Sequence, residues 1–345
     1  MSLTGTLGIE AAYAPNAAAR VRFWQPKTVP LDRLLIGCAP DEAVRRVGSL
    51  FALCGHAHAL ASASAIEAIQ QLSPSPSVAR ARLFLVAAEA IREHVFRVCM
   101  DWPAFLGLVP QAAALMPVTE EFAKLRALAG QDVFRPGAAM ALPLAALEEV
   151  AASLAEAAAL AVFGAANSPL ANVAMISRWA ESPASVAAEM LAKTRGGDLP
   201  SHEMSEEQTI FGRWQADARL TGNEAHQRLL ARLLEIDALC RSLSGTADIE
   251  GSCRLSVECG EAGHASSAID VARGRLTHDL AIEGGKITAY AIAAPTGRNF
   301  EPGGAAEQAI ARIRTDDRAA FERLARLAVL EIDPCVAYDL RFTHA

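Results

Sequence analysis

Two short stretches of this chain hold residues able to bind a metal. The first is Cys54-Gly55-His56-Ala57-His58 and the second is Asp333-Pro334-Cys335. Thiolate and imidazole are ligands for soft and borderline metals, so two thiolates from distant segments could converge on one ion. Pro334 biases Asp333 towards an extended backbone and removes a donor, and the Asp333 carboxylate must find a partner elsewhere. A rigid extended turn of this kind would present the Cys335 thiolate. The same residues also read as two buried cysteines, and the spacing alone leaves both readings open. The other cysteines offer less. Cys38, Cys99 and Cys240 stand alone in helical or apolar surroundings, as small buried hydrophobes do. Cys253 and Cys259 fit no common zinc spacing. No phosphate loop, dinucleotide fingerprint, nucleophile elbow or HExxH motif is present.

The elements that would position these groups are mostly helical. Residues 3–24 form two short extended pieces around Pro15-Asn16, and Pro40-Asp41 opens a helix with apolar Ala43, Val44, Val47, Leu50 and Phe51 at helical spacing. Helices are then expected over HALASASAIEAIQQL and over Val78–Met100, the latter stopping at Asp101-Trp102-Pro103. Further helices are expected around Glu120–Ala129, Leu142–Phe163, Ala171–Trp179, Ala184–Lys193, Glu206–Leu220 and Asn223–Leu243. From Ala247 to Thr296 short alternating runs replace the helical pattern, with Glu283-Gly284-Gly285-Lys286 as a hairpin turn. A helix over Asp316–Val329, with Thr315 as N-cap, and an extended Ile332–Cys335 end the pattern. The class expected is α+β: one domain over 1–345, with N-terminal strands in 1–40, a helical body in 41–245, and a β segment with C-terminal helices and the DPC turn in 246–345.

The chain has 345 residues, 52% hydrophobic and 21% charged, with 32 Lys and Arg against 39 Asp and Glu, a net charge of −7. So long and apolar a chain can bury a core, and the acidic balance argues against nucleic acid as a partner. An odd count of seven cysteines is no disulfide framework. The uncharged stretches Val47–Ile66, Pro103–Thr119 and Ala157–Ser177 are interrupted by histidines, prolines, Gly164 or asparagines, so no membrane span is expected. The N-terminus lacks the pattern of a signal peptide. A soluble, reduced, cytoplasmic protein is the expectation.

Several motifs, in order, resemble the large subunit of nickel–iron hydrogenases. Gly5–Glu10 is similar to its opening G-x-L-x-I-E, and Gly37 and Pro40 to a Gly-x-x-Pro. Its R-G-x-E would fall on Val29-Pro30-Leu31-Asp32. Cys54, His58, Leu60, Ala61 and Ser62 match R-x-C-G-x-C-x-x-x-H-x-L-A-S, with Ser49 at the arginine and Phe51 at the first cysteine. Asp270–Gly274 stands at E-A-P-R-G, followed by His278. Tyr290, Pro295, Thr296, Asn299 and Pro302 match the next motif, where Arg298 replaces a tryptophan, and Glu307, Gln308 and Ala309 fit E-x-A. Asp333–Tyr338 is similar to D-P-C-x-x-C, with Tyr338 at the last cysteine.

The resemblance implies that of four thiolates holding nickel, two of which bridge to an iron bearing cyanide and carbon monoxide, only Cys54 and Cys335 remain as metal ligands. Phe51 supplies no donor, and a phenol with a pKa of about 10 makes Tyr338 a poor ligand. No stable nickel and no hydrogen turnover are therefore expected. The surroundings of the iron are better kept: Arg273 would lie over the iron ligands, Pro295 and Thr296 near a cyanide nitrogen, Asp333 against Arg273, and His58 against the Cys54 thiolate. This combination resembles the HupK/HoxV-type hydrogenase maturation proteins. It implies a non-catalytic scaffold that transiently binds an Fe(CN)2(CO) fragment. The implied partners are a HypC-type chaperone, the cyanation machinery and the hydrogenase large-subunit precursor, with no C-terminal processing of this chain. Two other readings stand beside it: a metal-free interaction protein with a hydrogenase-like fold, and an atypical hydrogenase or hydrogen sensor.

Overall fold

The computed structural model describes residues 5–24, 31–182, 185–195, 208–261 and 263–344. The first and last described strands share one sheet. Strand β1 (Leu7–Tyr13) lies between β2 (Arg20–Trp24), antiparallel, and β7 (Tyr338–His344), parallel. As the central strand it reads as a nearly continuous apolar run, LGIEAAY, where the edge strand β2 alternates. Helices α13 (Ala305–Ala311) and α14 (Arg318–Ile332) cover it, burying Leu7, Ile9, Phe321, Val329 and Ile332 together. The register runs from Leu7 opposite Tyr338 to Tyr13 opposite His344. It fixes the β7 end of the five-residue link 333–337, and the packing of α14 on the sheet fixes the other, and so the place of Asp333 and Cys335.

Helix α1 (Pro40–Leu50) begins where expected and packs on α2 (Gly55–Gln70), whose small residues are buried almost throughout. The two helices meet closely: a Cβ on Gly55 would stand 2.3 Å from the Gly48 carbonyl oxygen. Backbone cannot yield as a flexible side chain does, so Gly55→Ala should cost about 1–3 kcal/mol, read as a lower Tm. Behind α2 runs α3 (Pro76–Phe96), capped by Ser75, whose hydroxyl accepts from the Val78 amide. The helical path does not stop at Asp101. A π-turn over Arg97–Asp101 leads into α4 (Trp102–Leu106), which carries Pro103 in its first turn, where no amide donor is missed. Helix α5 spans Ala112–Ala129, starting earlier than expected, with Pro117 inside it near its first turn.

The body continues through α6 (Leu144–Phe163), α7 (Val173–Ala180) and α8 (Val186–Thr194). The helix expected over Glu206–Leu220 is only α9 (Ile210–Trp214) among the described residues. Helix α10 (Glu224–Leu243) fits the expected span, with Asn223 as N-cap. A short α11 (Ile249–Cys253) then precedes an antiparallel sheet in the order β3 (Ser256–Cys259), β4 (His264–Val271), β5 (Gly274–Glu283), β6 (Lys286–Ala293). Gly284 and Gly285 form the β5–β6 turn at φ 56° and 75°, a pair of values that glycine adopts without cost. Helix α12 (Pro295–Asn299) returns the chain towards the first sheet. The whole is α+β, a helical body with small sheets, as expected. Three local expectations differ. Asp317, not Thr315, caps α14 through its carboxylate. Asp333 is not extended but left-handed, at φ 62° and ψ 85°. The last strand, β7, lies beyond the expected pattern, although Tyr338, Leu340 and Phe342 alternate with polar residues there as strand residues do. Among the described residues no helix is long and apolar enough to cross a membrane.

Candidate functional site: a thiol-lined cavity between helices and turns

Cys54 sits at the N-terminus of α2, as its capping residue, with no side-chain cap bond. The orphan amides of that helix end are met by Glu89 of α3 instead: Oε2 accepts from the His56 amide at 2.9 Å and Oε1 from Ala57 at 3.1 Å. His56 Nδ1 also lies 2.6 Å from Glu89 Oε2. Cys335 comes from the link after α14, where the Thr296 hydroxyl oxygen accepts its amide at 3.0 Å. The two cysteines line one narrow apolar cavity of about 30 Å3, with Phe51, Leu53, His58, Glu89, Glu93, Arg273, Pro295 and Thr296 among its walls. Of the residues singled out from sequence, Cys54, Cys335, His58, Arg273, Pro295 and Thr296 are thus brought together. Asp333 stands just behind them.

Asp333 organises the charge. Its carboxylate lies 2.8 Å from Arg97 Nε, 3.1 Å from Arg232 Nη1 and 3.4 Å from Arg273 Nε. Arg273 also pairs with Glu93 at 3.1 Å, and Arg273, Arg232 and Asp333 are all buried. Burial pushes the Asp333 carboxyl up, but Arg273, Arg232 and Arg97 outweigh it and hold the group below the usual carboxylate range. Burial likewise works against the Arg273 charge, and Asp333 and Glu93, with the two thiols, raise it again. Gly274, next in the chain, has φ 136°, and a Cβ there would meet the Gln208 carbonyl oxygen at 1.8 Å, so only glycine lets β5 begin beside Arg273.

The thiols are close enough to feel one another. Burial first, then the Cys335 and Glu89 charges, push the Cys54 thiol well above its ordinary value, with Arg273 opposing them. Cys54 is therefore held as a neutral thiol, and metal binding there would release its proton.

His58 is placed differently from the expectation. Rather than a thiolate bond, its Nδ1 is 2.9 Å from Nε2 of His278, whose Nδ1 is 2.7 Å from the Tyr290 hydroxyl. Burial, then His278, push His58 well down, and burial pushes His278 down to about 3. Both rings are neutral at pH 7. Phe51 stacks on the His58 ring at 3.6 Å and 3°. Sequence reasoning missed Glu89 and Glu93, although two carboxylates four apart in the apolar helix α3 were a visible signal. It missed Arg97 and Arg232 too, which nothing in their local sequence marks. Tyr338 opens β7 and does not line the cavity; burial and the Asp101 charge push its phenol up. The side chains of Leu31 and Asp32, and all of Val29-Pro30, lie outside the described residues. Cys38, Cys99 and Cys240 are buried, as expected of packing residues, and Cys253 is too, while Cys259 is exposed. No group of three or more metal-ligating side chains occurs among the described residues.

No protein-family model matches the chain. Among curated proteins it is similar to the hydrogenase expression/formation protein HupK of Bradyrhizobium diazoefficiens, 30% identical over 93% of this chain and 92% of that protein. It is 28% identical to HupV of Azotobacter chroococcum over 99% of this chain and all of that protein. To HoxV of Cupriavidus necator it is 27% identical, covering 97% of that protein. Among solved structures, an NAD+-reducing NiFe-hydrogenase in the H2-reduced state superposes with a TM-score of 0.65 at 15% identity, over 97% of this chain and 96% of that one. The Ni-Fe-Se hydrogenase of D. vulgaris Hildenborough does so with a TM-score of 0.63 at 13% identity, over 94% and 95% of the two chains. At such identities these two speak for the fold, that of the hydrogenase large subunit. Sequence similarity along nearly its whole length places the chain in a family: it belongs to the HupK/HupV/HoxV hydrogenase expression/formation proteins.

Proposed function

We propose that this protein is a non-catalytic scaffold in hydrogenase maturation, receiving an iron unit bearing cyanide and carbon monoxide, Fe(CN)2(CO), as cargo and passing it on. The observation that carries the reading is the meeting of Cys54 and Cys335 in one apolar cavity beside a buried, charged Arg273. Two thiolates suit a soft metal. An iron(II) carrying two cyanides and two thiolates is anionic, and Arg273 in the cavity wall is the cation that would face it, its charge held in place by Asp333 and Glu93. Thr296 uses its oxygen to accept from the Cys335 amide, which leaves its hydroxyl hydrogen to donate to a cyanide nitrogen. Arg273 lines the same wall with a second donor group. Phe51 and Tyr338 leave nickel without half of a four-thiolate set, which separates holding the iron unit from turning over hydrogen. The partners on this reading are a HypC-type chaperone with the cyanation machinery upstream and the hydrogenase large-subunit precursor downstream, in the cytoplasm.

The test is an infrared spectrum of the full chain purified from cells with an intact maturation system. Cyanide and carbonyl bands are expected, lost in Cys54→Ala and in Cys335→Ala. Thr296→Val should cost roughly tenfold in occupancy, the effect typical of a group that supports a metal's ligands. Absence of bands from the unaltered chain, or full hydrogenase formation with both cysteine variants, would overturn the reading in favour of a metal-free interaction protein.

The cavity's size makes a further prediction. About 30 Å3 is room for two or three waters at 10–15 Å3 each, too little for an iron with three diatomic ligands, so the cargo enters only when a wall moves. Phe51, at the end of α1, is the large apolar wall on the exposed side of the His58 stack. Phe51→Ala should raise the intensity of the infrared bands per protein. Unchanged intensity would show that Phe51 does not restrict entry.

A further inference from the structure

A second, larger opening lies on the other side of Glu89. It is a groove of about 770 Å3 between α1, α5 and the 3-10 turn Gln131–Phe134. Its lining includes Arg45, Arg126 and Arg135, all exposed. None of the three forms an ion pair or side-chain hydrogen bond among the described residues, and Arg126 only rests its guanidinium over Phe122. Exposed arginines such as Arg46, Arg80 and Arg318 are paired with glutamates, whereas these three, like Arg20, Arg33 and Arg323, are unpaired among the described residues, and here three such charges line one groove. Two carboxylates, Asp41 and Asp132, share the lining, and Asp41 is in the first turn of α1, where the helix end offsets its charge. Val44, Leu85 and Phe134 give the floor an apolar character.

The rim is held rigidly. Buried Arg82 donates to the carbonyl oxygens of Val133 at 2.7 Å and Arg135 at 2.8 Å, and pairs with buried Glu67 at 2.9 Å. Glu67 in turn accepts from the Gly137 amide. A preformed rim loses little freedom when a partner binds. His56 lines this groove and bonds to Glu89, which lines the thiol cavity, so a single carboxylate separates the two spaces.

We infer that this groove docks an acidic, partly apolar segment of a protein partner, its carboxylates pairing with Arg45, Arg126 and Arg135 and its apolar side chains meeting the floor. Guanidinium forks bind carboxylates in two-pronged fashion, and unpaired ones on a fixed rim are free to do so. The mixed lining favours a peptide over a compact polyphosphate, because Asp41 and Asp132 repel dense negative charge while a peptide spreads its own. The inference stands apart from the iron cargo, since no residue of the docking contact is a thiol.

Fluorescence anisotropy of the full chain with a short fluorescein-labelled peptide of alternating glutamate and leucine tests it. Saturable binding is expected, weakened by added salt. Each of Arg45→Glu, Arg126→Glu and Arg135→Glu should weaken it about tenfold, whereas Arg20→Glu on β2 and Cys54→Ala should leave it unchanged. Absence of the infrared bands from the unaltered chain, with intact peptide binding, would indict the cargo reading alone. The inference is overturned if no binding occurs, if the triple arginine variant binds as the unaltered chain does, or if a lysine–leucine peptide binds equally. Displacement of the peptide by millimolar ATP or inorganic phosphate would overturn it too, reassigning the groove to a small phosphate ligand.

Discussion

Asp333→Ala is expected to lower stability to urea by about 3–5 kcal/mol at neutral pH, the cost of breaking a buried ion pair on one side. The mechanism is the exposure of charge to itself. Arg97, Arg232 and Arg273 converge on this carboxylate, and Arg232 and Arg273 are buried. With Asp333 gone, Glu93 and Asp101 remain to balance them, paired to Arg273 and Arg97 respectively, and among the described residues Arg232 keeps neutral partners, the Glu331 carbonyl and His94. Asp333→Asn keeps the shape and part of the hydrogen bonding, so it should fall between the two. A second change that removes the stranded charge, Arg232→Met in the Asp333→Ala background, should recover part of the loss. A loss below about 1 kcal/mol in Asp333→Ala would show that water reaches the cluster and screens it.

The same cluster shows what could and could not be read from the residues alone. Pro334 told correctly that the Asp333 carboxylate needed a partner, and Arg273 was named as one. Arg97 and Arg232 were invisible because they arrive from α3's extension and from α10, and nothing in a helical stretch marks which arginine points inward. The backbone of Asp333 was misjudged for a related reason. Proline disfavours the right-handed helical region for the residue before it, but α14 must end there, and the left-handed cap lets its amide reach the Val329 carbonyl. Helix spans with clear periodicity, such as α10, were legible. The π-turn at Arg97–Asp101 was not, being a packing adjustment, and neither was the pairing of β7, whose partner strand lies at the far end of the chain. In the site, the thiols, Arg273, Pro295 and Thr296 were legible because chain order carried them. His58 lines the expected cavity but faces His278 and Tyr290 instead of the Cys54 thiol, a pairing across elements that only folding brings together.

Those buried histidines set the second large effect, on pH. His58, His94 and His278 all have their pKa lowered chiefly by burial; for His94 the neighbouring Arg232 and Arg213 add to it. The folded state thus keeps them neutral, while the unfolded chain takes up protons below about 6.5. A depressed histidine contributes full stability above its unfolded pKa and loses it as pH falls towards the folded value, about 3 for His278. At pH 5 each such ring should have cost about 2 kcal/mol, and three together about 6, a large share of a typical 5–15 kcal/mol. Asp333 does not confuse the reading. Its folded pKa is depressed, so its contribution is present above about 3.9 and is lost only below that. The urea midpoint should therefore drop steeply between pH 7.5 and 5.0, and His278→Gln, though less stable at pH 7.5, should lose one ring's share of that dependence, about 2 kcal/mol. A midpoint that stays level across the range would mean that the three rings are protonated or hydrated in the folded protein, against the burial and pairing seen for each.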